Sequence, residues 1–285
     1  MNLSASKQNL AVDRPINLER IFRRRINYSF EVRAQLRLRN NLELVLFSRL
    51  QNLIRKHIRQ QAEDLRNNQL NLQNSEIRFL ESLKLLMAIH YKRIFMAIYE
   101  RNMNIYQNLQ KKQDAFDFSN VDFEKVVAGY ISTNTIRLVG ISATLTKNIK
   151  KIIEEGYREN LSSAVIARNL EREIPTISRT RALIIARTET HSGASFANHK
   201  YHVDVGDSLG IDFYKRWVAV SDGRTRPEHR EANGQTVRMN EKFELSHPKR
   251  GTVFMDRAGD PSGGAYHSIN CRCVITYAEN PDDLD

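Results

Sequence analysis

The chain has 285 residues, 41% of them hydrophobic and 27% charged, with a formal net charge of +11. That is enough for one large or two ordinary domains, and no apolar run approaches the roughly 18 to 20 residues that span a bilayer. The opening residues, MNLSASKQNLAVDRP, lack the apolar block and small-residue cleavage site of a secretory signal, so the expectation is synthesis in a reducing cytosol, with both thiols free and no membrane partner.

The charge is unevenly placed. Residues 1–60 hold 13 Lys and Arg against 4 Asp and Glu, whereas residues 206–285 hold 11 against 13. A basic front half favours a polyanion, nucleic acid above all. A solvated helix face or an acidic protein groove would use the same residues. Arg23, Arg24, Arg25, Arg33 and Arg37 are the candidates for DNA phosphates or such a groove.

No proline lies between Pro15 and Pro175, and the first glycine is Gly129, so long helices are expected. Residues 1–17 read as a flexible basic tail. From about Leu18 to Leu65, Ile21, Phe22, Ile26, Phe30, Leu36, Leu42, Leu46, Leu50, Leu53, Ile54 and Ile58 recur at helical spacing. A continuous helix of that length reaches roughly 70 Å. The polar stretch Asn67 to Asn74 is a connector. A second helix, about Ser75 to Lys112, carries Leu80, Leu83, Met87, Ile94, Ile98 and Ile105. The pair reads as an extended helical hairpin over 18–118, an arm that buries little by itself and is expected to pack on neighbouring chains.

Over 119–205 the helices are expected to shorten. Ser119 or Asp122 caps one running to about Ala128, Ser142 caps one ending at Gly156, Ser162 starts one ending before Pro175, and a last one runs from Ser178 to His202. Beyond Gly206 glycine and proline become common, and Phe213 to Val220 reads as a strand. The fold class expected is therefore α+β: a mainly helical arm and middle, then a small α+β lobe over 206–285.

Three segments of the second half carry chemistry. The first is Ala186-Arg-Thr-Glu-Thr190. The second is Trp217-Val-Ala-Val-Ser-Asp-Gly-Arg-Thr-Arg-Pro-Glu-His229, in which Asp222-Gly223 makes a turn and Thr225 with Glu228 fits a capping box. The third is HSINCRCVITY, His267 to Tyr277, which holds both cysteines of the chain. Its alternation suggests a strand with Cys271 and Cys273 on one face, roughly 6 to 7 Å apart at the backbone. Neighbours this close seldom bridge. They suit two ligands of one metal ion or two small residues in a core.

Taken in this order and spacing, the three segments resemble the phage Mu F-like head-morphogenesis family, minor capsid proteins of tailed bacteriophages, over roughly residues 135–277. The resemblance implies a structural virion component present in multiple copies inside the head near the portal. Its partners would be the portal protein and major capsid or scaffold protein, with double-stranded DNA within reach, after synthesis in the host cytoplasm. The basic arm is not part of the match.

Beside that resemblance, His229, His267, Cys271 and Cys273 would supply two nitrogens and two sulfurs, the donor set of a closed structural zinc site. Buried thiols with hydrogen-bonded histidines would account for the same residues. Asp222 is the substitute donor. Arg187 and Glu189, two positions apart on a helix, cannot face each other. Asp222 is the partner expected for the arginine, and Arg224 or Arg226 for the glutamate. Trp217 is expected to anchor the lobe core. His199 and His202 share a helix face, either solvated or holding a second metal. No catalytic residue is assigned. A metal-dependent nuclease using His229 lacks a carboxylate cluster, and ADP-ribosyl transfer would need a Ser-Thr-Ser strand and a Glu-x-Glu turn, echoed only by Ser132-Thr-Asn134 and Glu171-Arg-Glu173.

Overall fold

A computed structural model describes residues 30–110, 121–220 and 222–284, and of 106–110 the backbone alone. The basic tail and Arg23, Arg24 and Arg25 lie outside the described residues. The front of the molecule is four long helices, α1 (Phe30–Arg66), α2 (Leu72–Gln110), α3 (Phe123–Arg158) and α4 (Ser163–Leu209). Along α1 the buried positions Leu42, Leu46, Leu50, Ile54, Ile58 and Ala62 recur every fourth residue. Four residues turn a helix through about 400°, so this stripe winds slowly around α1 and meets more than one neighbour.

The hairpin of α1 and α2 is long, as the spacing predicts. Its apolar faces nevertheless close on the chain's own helices rather than awaiting neighbouring chains. Leu46, Leu50 and Ile54 share one core with Phe79, Leu83 and Met87 of α2, Leu138 and Leu145 of α3, and Leu170 and Ala182 of α4. The main packing is of α1 on α4 and of α2 on α3 and α4. Sequence spacing shows that a helix has an apolar stripe but not which surface covers it.

The short helices expected between 119 and 205 are instead two long ones. Asp122 does cap α3, accepting from the Lys125 N–H at 3.0 Å. Ser142, expected to start a helix, is buried in mid-helix, where its hydroxyl donates to the Glu76 carbonyl at 3.2 Å. Likewise α4 runs straight through Pro175, which has no N–H to give the helix. Leu170, Ile174 and Ser178 around it are all buried, and that packing outweighs the local preference. The helix stops at Gly210, whose φ of 68° is left-handed.

The C-terminal lobe contains β1 (Tyr214–Val218), α5 (Pro227–Glu231), β2 (Thr236–Arg238), β3 (Phe243–His247), β4 (Gly251–Met255), α6 (Gly264–Ser268) and β5 (Val274–Ala278). An antiparallel sheet has the order β2-β1-β5, with Trp217 opposite Ile275, and β3 and β4 form a separate hairpin. Trp217, Phe243, Leu245, Met255 and Ile275 make a small core that also contains both cysteines. The last strand is shorter than the alternation suggests. His267 lies in the last turn of α6, and Cys271 and Cys273 lie outside regular structure just before β5. The first strand is likewise trimmed to 214–218.

Candidate metal centre and the helix behind it

The middle of α4 is buried on nearly every side, from Ile185 to Asn198, and it reads as small and polar residues because four surroundings press on it. At Gly193 a Cβ would sit 3.2 Å from the Tyr91 ring. Buried polar groups must be paired, and the side chains of the ARTET segment between them meet all three other helices and the lobe. Arg187 Nε donates to Glu43 of α1 at 3.0 Å. Thr188 Oγ1 accepts from the Asn270 N–H of the lobe at 3.1 Å. Glu189 Oε2 accepts from the Tyr91 hydroxyl of α2 at 2.6 Å and from Arg137 of α3 at 2.7 Å. Thr190 Oγ1 lies 2.9 Å from His90 Nε2. The segment is thus a hub that ties the three other helices and the lobe together.

The pairs expected for this segment are replaced. Arg187 faces Glu43 rather than Asp222, and Glu189 faces Arg137 rather than Arg224 or Arg226. Burial raises the Glu43 carboxyl to about 7, with Arg187 working in the opposite direction. Burial also opposes the charge on Arg137, yet the Glu189 carboxylate wins and raises its pKa. Asp222 is held by both guanidinium nitrogens of Arg272. Burial alone would raise the Asp222 carboxyl, but the Arg272 hydrogen bonds depress it. The Arg224 side chain is exposed and its guanidinium reaches Asp222 only at 3.7 Å, while its backbone N–H donates to Asp222 Oδ1 at 3.0 Å. Arg226 donates to the Ile269 carbonyl at 2.9 Å and lies over the Tyr266 ring. It is also the N-cap residue of α5, so the Thr225–Glu228 capping box does not form; the Thr225 hydroxyl turns to the Val220 carbonyl.

Three of the residues singled out for a metal come together. One ring or sulfur atom from each of His229, Cys271 and Cys273 lies within 4.8 Å of the others, and all three residues are buried. His229 Nδ1 is 3.5 Å from the Cys273 sulfur and 3.7 Å from that of Cys271. Ligands about 2.0 to 2.3 Å from one tetrahedral zinc stand roughly 3.5 Å apart, so the donor set fits such an ion. The cluster can hold a metal. His267 is on the other side: its Nδ1 lies 3.2 Å from His229 Nε2, with the two rings stacked. That bond leaves His229 Nδ1 free to face the sulfurs, the outer role usual behind a ligating imidazole. Burial, then His229, depress the His267 pKa. Asp222, bound to Arg272, is not among the cluster's donors.

A hydrogen bond from the Cys273 thiol, helped by His191 and His229, pulls Cys271 well below the ordinary thiol range against the cost of burial. The same bond and burial push Cys273 well above it. Trp217, fully buried, meets the His229 ring edge-on at 5.4 Å and keeps this corner dry.

Arg39 and His191, both buried, also adjoin the cluster and were not picked out by the motifs. Arg39 Nη1 lies 2.9 Å from His191 Nδ1 and 3.3 Å from the Cys273 carbonyl. A signal for it exists: Val32, Leu36, Arg39, Glu43, Leu46 and Leu50 lie along one helical stripe, so two charges occupy apolar positions. Of the basic candidates within the described residues, Arg33 is half-buried and Arg37 is exposed beside a groove lined by Phe30, Leu38 and Ala97. His199 and His202 are both half-buried. His202 stacks on Tyr277 at 4.0 Å, and its Nδ1–H donates to the Asn198 carbonyl at 2.7 Å.

Comparison with known proteins adds to this geometry. Residues 145–276 match the family described as Phage Mu protein F like protein. The chain is 33% identical over 139 residues to an NAD(+)–arginine ADP-ribosyltransferase of Enterococcus faecalis, covering 48% of this chain and 27% of that protein. It is 27% identical over 135 residues to the minor head protein GP7 of Bacillus phage SPP1, covering 47% of this chain and 41% of that protein. The match therefore spans well under half the length of either relative. No solved structure shows a significant match.

Proposed function

We propose, from the match of residues 145–276 to the family described as Phage Mu protein F like protein, that the chain is a minor head protein of a tailed bacteriophage, a structural part of the virion that works in head morphogenesis. The observation that carries this reading is the likeness of this segment to a phage minor head protein. The hub geometry supports it. Buried charge pairs link α4 to α1, α2 and α3, and the lobe is fastened to the same helix, an arrangement suited to a rigid assembly part. In this reading the protein docks on the portal inside the head, and Arg23, Arg24, Arg25, Arg33 and Arg37 meet packaged DNA. Replacing the five with glutamine then weakens DNA binding and flattens its salt dependence.

Zinc is the ion proposed for the lobe, held by His229, Cys271 and Cys273, with His267 orienting His229. Bound there, it would tie the 271–273 segment to α5 and supply stability that a small core lacks. Metal analysis of protein purified without chelator is its check.

A second reading, ADP-ribosyl transfer, is favoured by the name of the Enterococcus faecalis relative. The residues it would use in this chain argue against it. Ser132, Thr133 and Asn134 lie inside α3 rather than on a strand, and Glu171 and Glu173 lie inside α4, where Glu171 binds Arg66 at 2.6 Å. The nuclease reading is weaker still, because His229 is buried between sulfurs and a second imidazole.

The test of the head-protein reading uses the full chain, co-expressed with the portal protein of the same phage. The expected outcome is co-purification with portal rings and detection by mass spectrometry in purified virions. Absence from both would overturn it, and transfer of ADP-ribose from NAD+ to an arginine analogue would favour the second reading.

A further inference from the structure

The metal centre is not confined to the lobe. A helix from the far end of the chain reaches it. Arg39 of α1 is 4% exposed, and among the described residues no carboxylate lies within ion-pair distance of it. Its guanidinium donates to three acceptors: His191 Nδ1 at 2.9 Å, the Cys273 carbonyl at 3.3 Å and Gln35 Oε1 at 3.1 Å. One turn earlier, Gln35 Nε2 donates to the Ile275 carbonyl at 3.1 Å. Helix α1 therefore grips the backbone on both sides of Val274.

The chemistry of arginine decides the rest. A guanidinium has donors only, so His191 Nδ1 accepts. The proton of the neutral imidazole then sits on Nε2, which has no hydrogen-bond partner among the described residues although His191 is only 6% exposed. An imidazole whose Nδ1 is occupied by a cation and whose Nε2 carries the proton has no lone pair for a metal. The buried Arg39 guanidinium is thus held by neutral acceptors, one of them the backbone carbonyl of Cys273 itself.

We infer that Arg39 and Gln35 fasten α1 to the segment that carries the sulfurs, a relay through which the seating of α1 sets the affinity of the metal centre. This rests on the metal reading above, and deepens it by naming what controls the site. An ion held by Cys271 and Cys273 would fix the same backbone that Arg39 and Gln35 grip at residues 273 and 275. By linkage, whatever the seated helix does for the metal, the metal does for the helix. Metal binding in the lobe and closure of the N-terminal helix are then one event.

The experiment uses the full chain, stripped of metal and titrated with zinc against a chromophoric chelator, while hydrogen exchange follows the backbone of residues 32–46. Wild type is expected to bind one zinc and to gain protection in α1. Arg39→Met is expected to bind zinc about 10- to 100-fold more weakly, in line with other outer-shell losses, and to lose the metal-dependent protection. Arg39→Lys, which keeps the charge without the planar fork, falls between and carries the test if the methionine variant does not fold. His191→Gln, which keeps an acceptor for Arg39, is expected to retain more affinity than His191→Phe. Wild-type affinity in the folded Arg39 variants, or no zinc-dependent protection of α1 in wild type, overturns the relay. A wild-type protein that binds no zinc overturns the metal reading itself, which is a separate result.

Discussion

Glu189 and Arg224 show how unequally two ion-paired residues can weigh. Glu189 is 1% exposed, and its Oε2 takes both the Tyr91 hydroxyl and Arg137. Replacing it with glutamine leaves Arg137, itself mostly buried, without its counter-charge. Breaking a buried pair from one side costs about 3 to 5 kcal/mol, so Glu189→Gln is expected to lower the free energy of unfolding by that amount in urea titration. Arg224, by contrast, is 57% exposed and 3.7 Å from Asp222, and Arg224→Gln should change stability by less than about 1 kcal/mol. Equal losses from the two variants would show that the hub is not the fastening described. Both residues stand in segments legible from the sequence. Their difference in weight was not, since it depends on burial that a motif does not encode.

At the level of elements, the glycines of α3 separate propensity from packing. Gly129 and Gly140 lie in mid-helix with nothing within 4 Å of a Cβ added at either. Gly129→Ala and Gly140→Ala are each expected to raise the melting temperature, by the roughly 0.5 to 1 kcal/mol that alanine gains over glycine in a helix. Gly156, in the same helix, is different. A Cβ there would stand 2.5 Å from Ile166 Cγ1 of α4, and Gly156→Ala is expected to cost about 1 to 3 kcal/mol by overpacking. The sequence suggested that Gly156 ended a helix. Instead it lets α3 and α4 approach at their turn. Identical residues in one helix thus carry opposite signs, and thermal melts of the three variants check this.

For the whole molecule, acid should be the weak side. Burial holds His57 at about 4, His90 at about 3, His199 at about 3 and His202 at about 4, all from an ordinary value of 6.5. A histidine depressed in the folded state gives stability that is complete above 6.5 and is lost as the pH falls toward the folded value. Glu43, raised to about 7, acts with the opposite sign and gains stability over the fall from 7 to 4.5. Four groups outweigh one. Unfolding free energy is expected to drop between pH 7.5 and 4.5. For His90, 2% exposed, the share is about 2 to 3 kcal/mol at pH 4.5, and His90→Gln should flatten the profile by that much. A level profile for wild type would contradict the neutral, buried state of these rings.

The amino-acid sequence alone determined the long helical front, through apolar spacing and the lack of Gly and Pro. It also marked the change of texture near Gly206, and it put Cys271, Cys273 and His229 in segments able to share one ligand. These are local properties, carried by residues close together in the chain. Only the tertiary structure decided that α1 closes on α4, that Arg187 meets Glu43 across 144 positions, that His267 backs His229 instead of joining the sulfurs, and that Arg39 reaches the cluster. Each of those depends on the angle at which helices cross and on which faces are left to cover one another. Periodicity shows that a face is apolar; the partner for a charge on that face is chosen by packing.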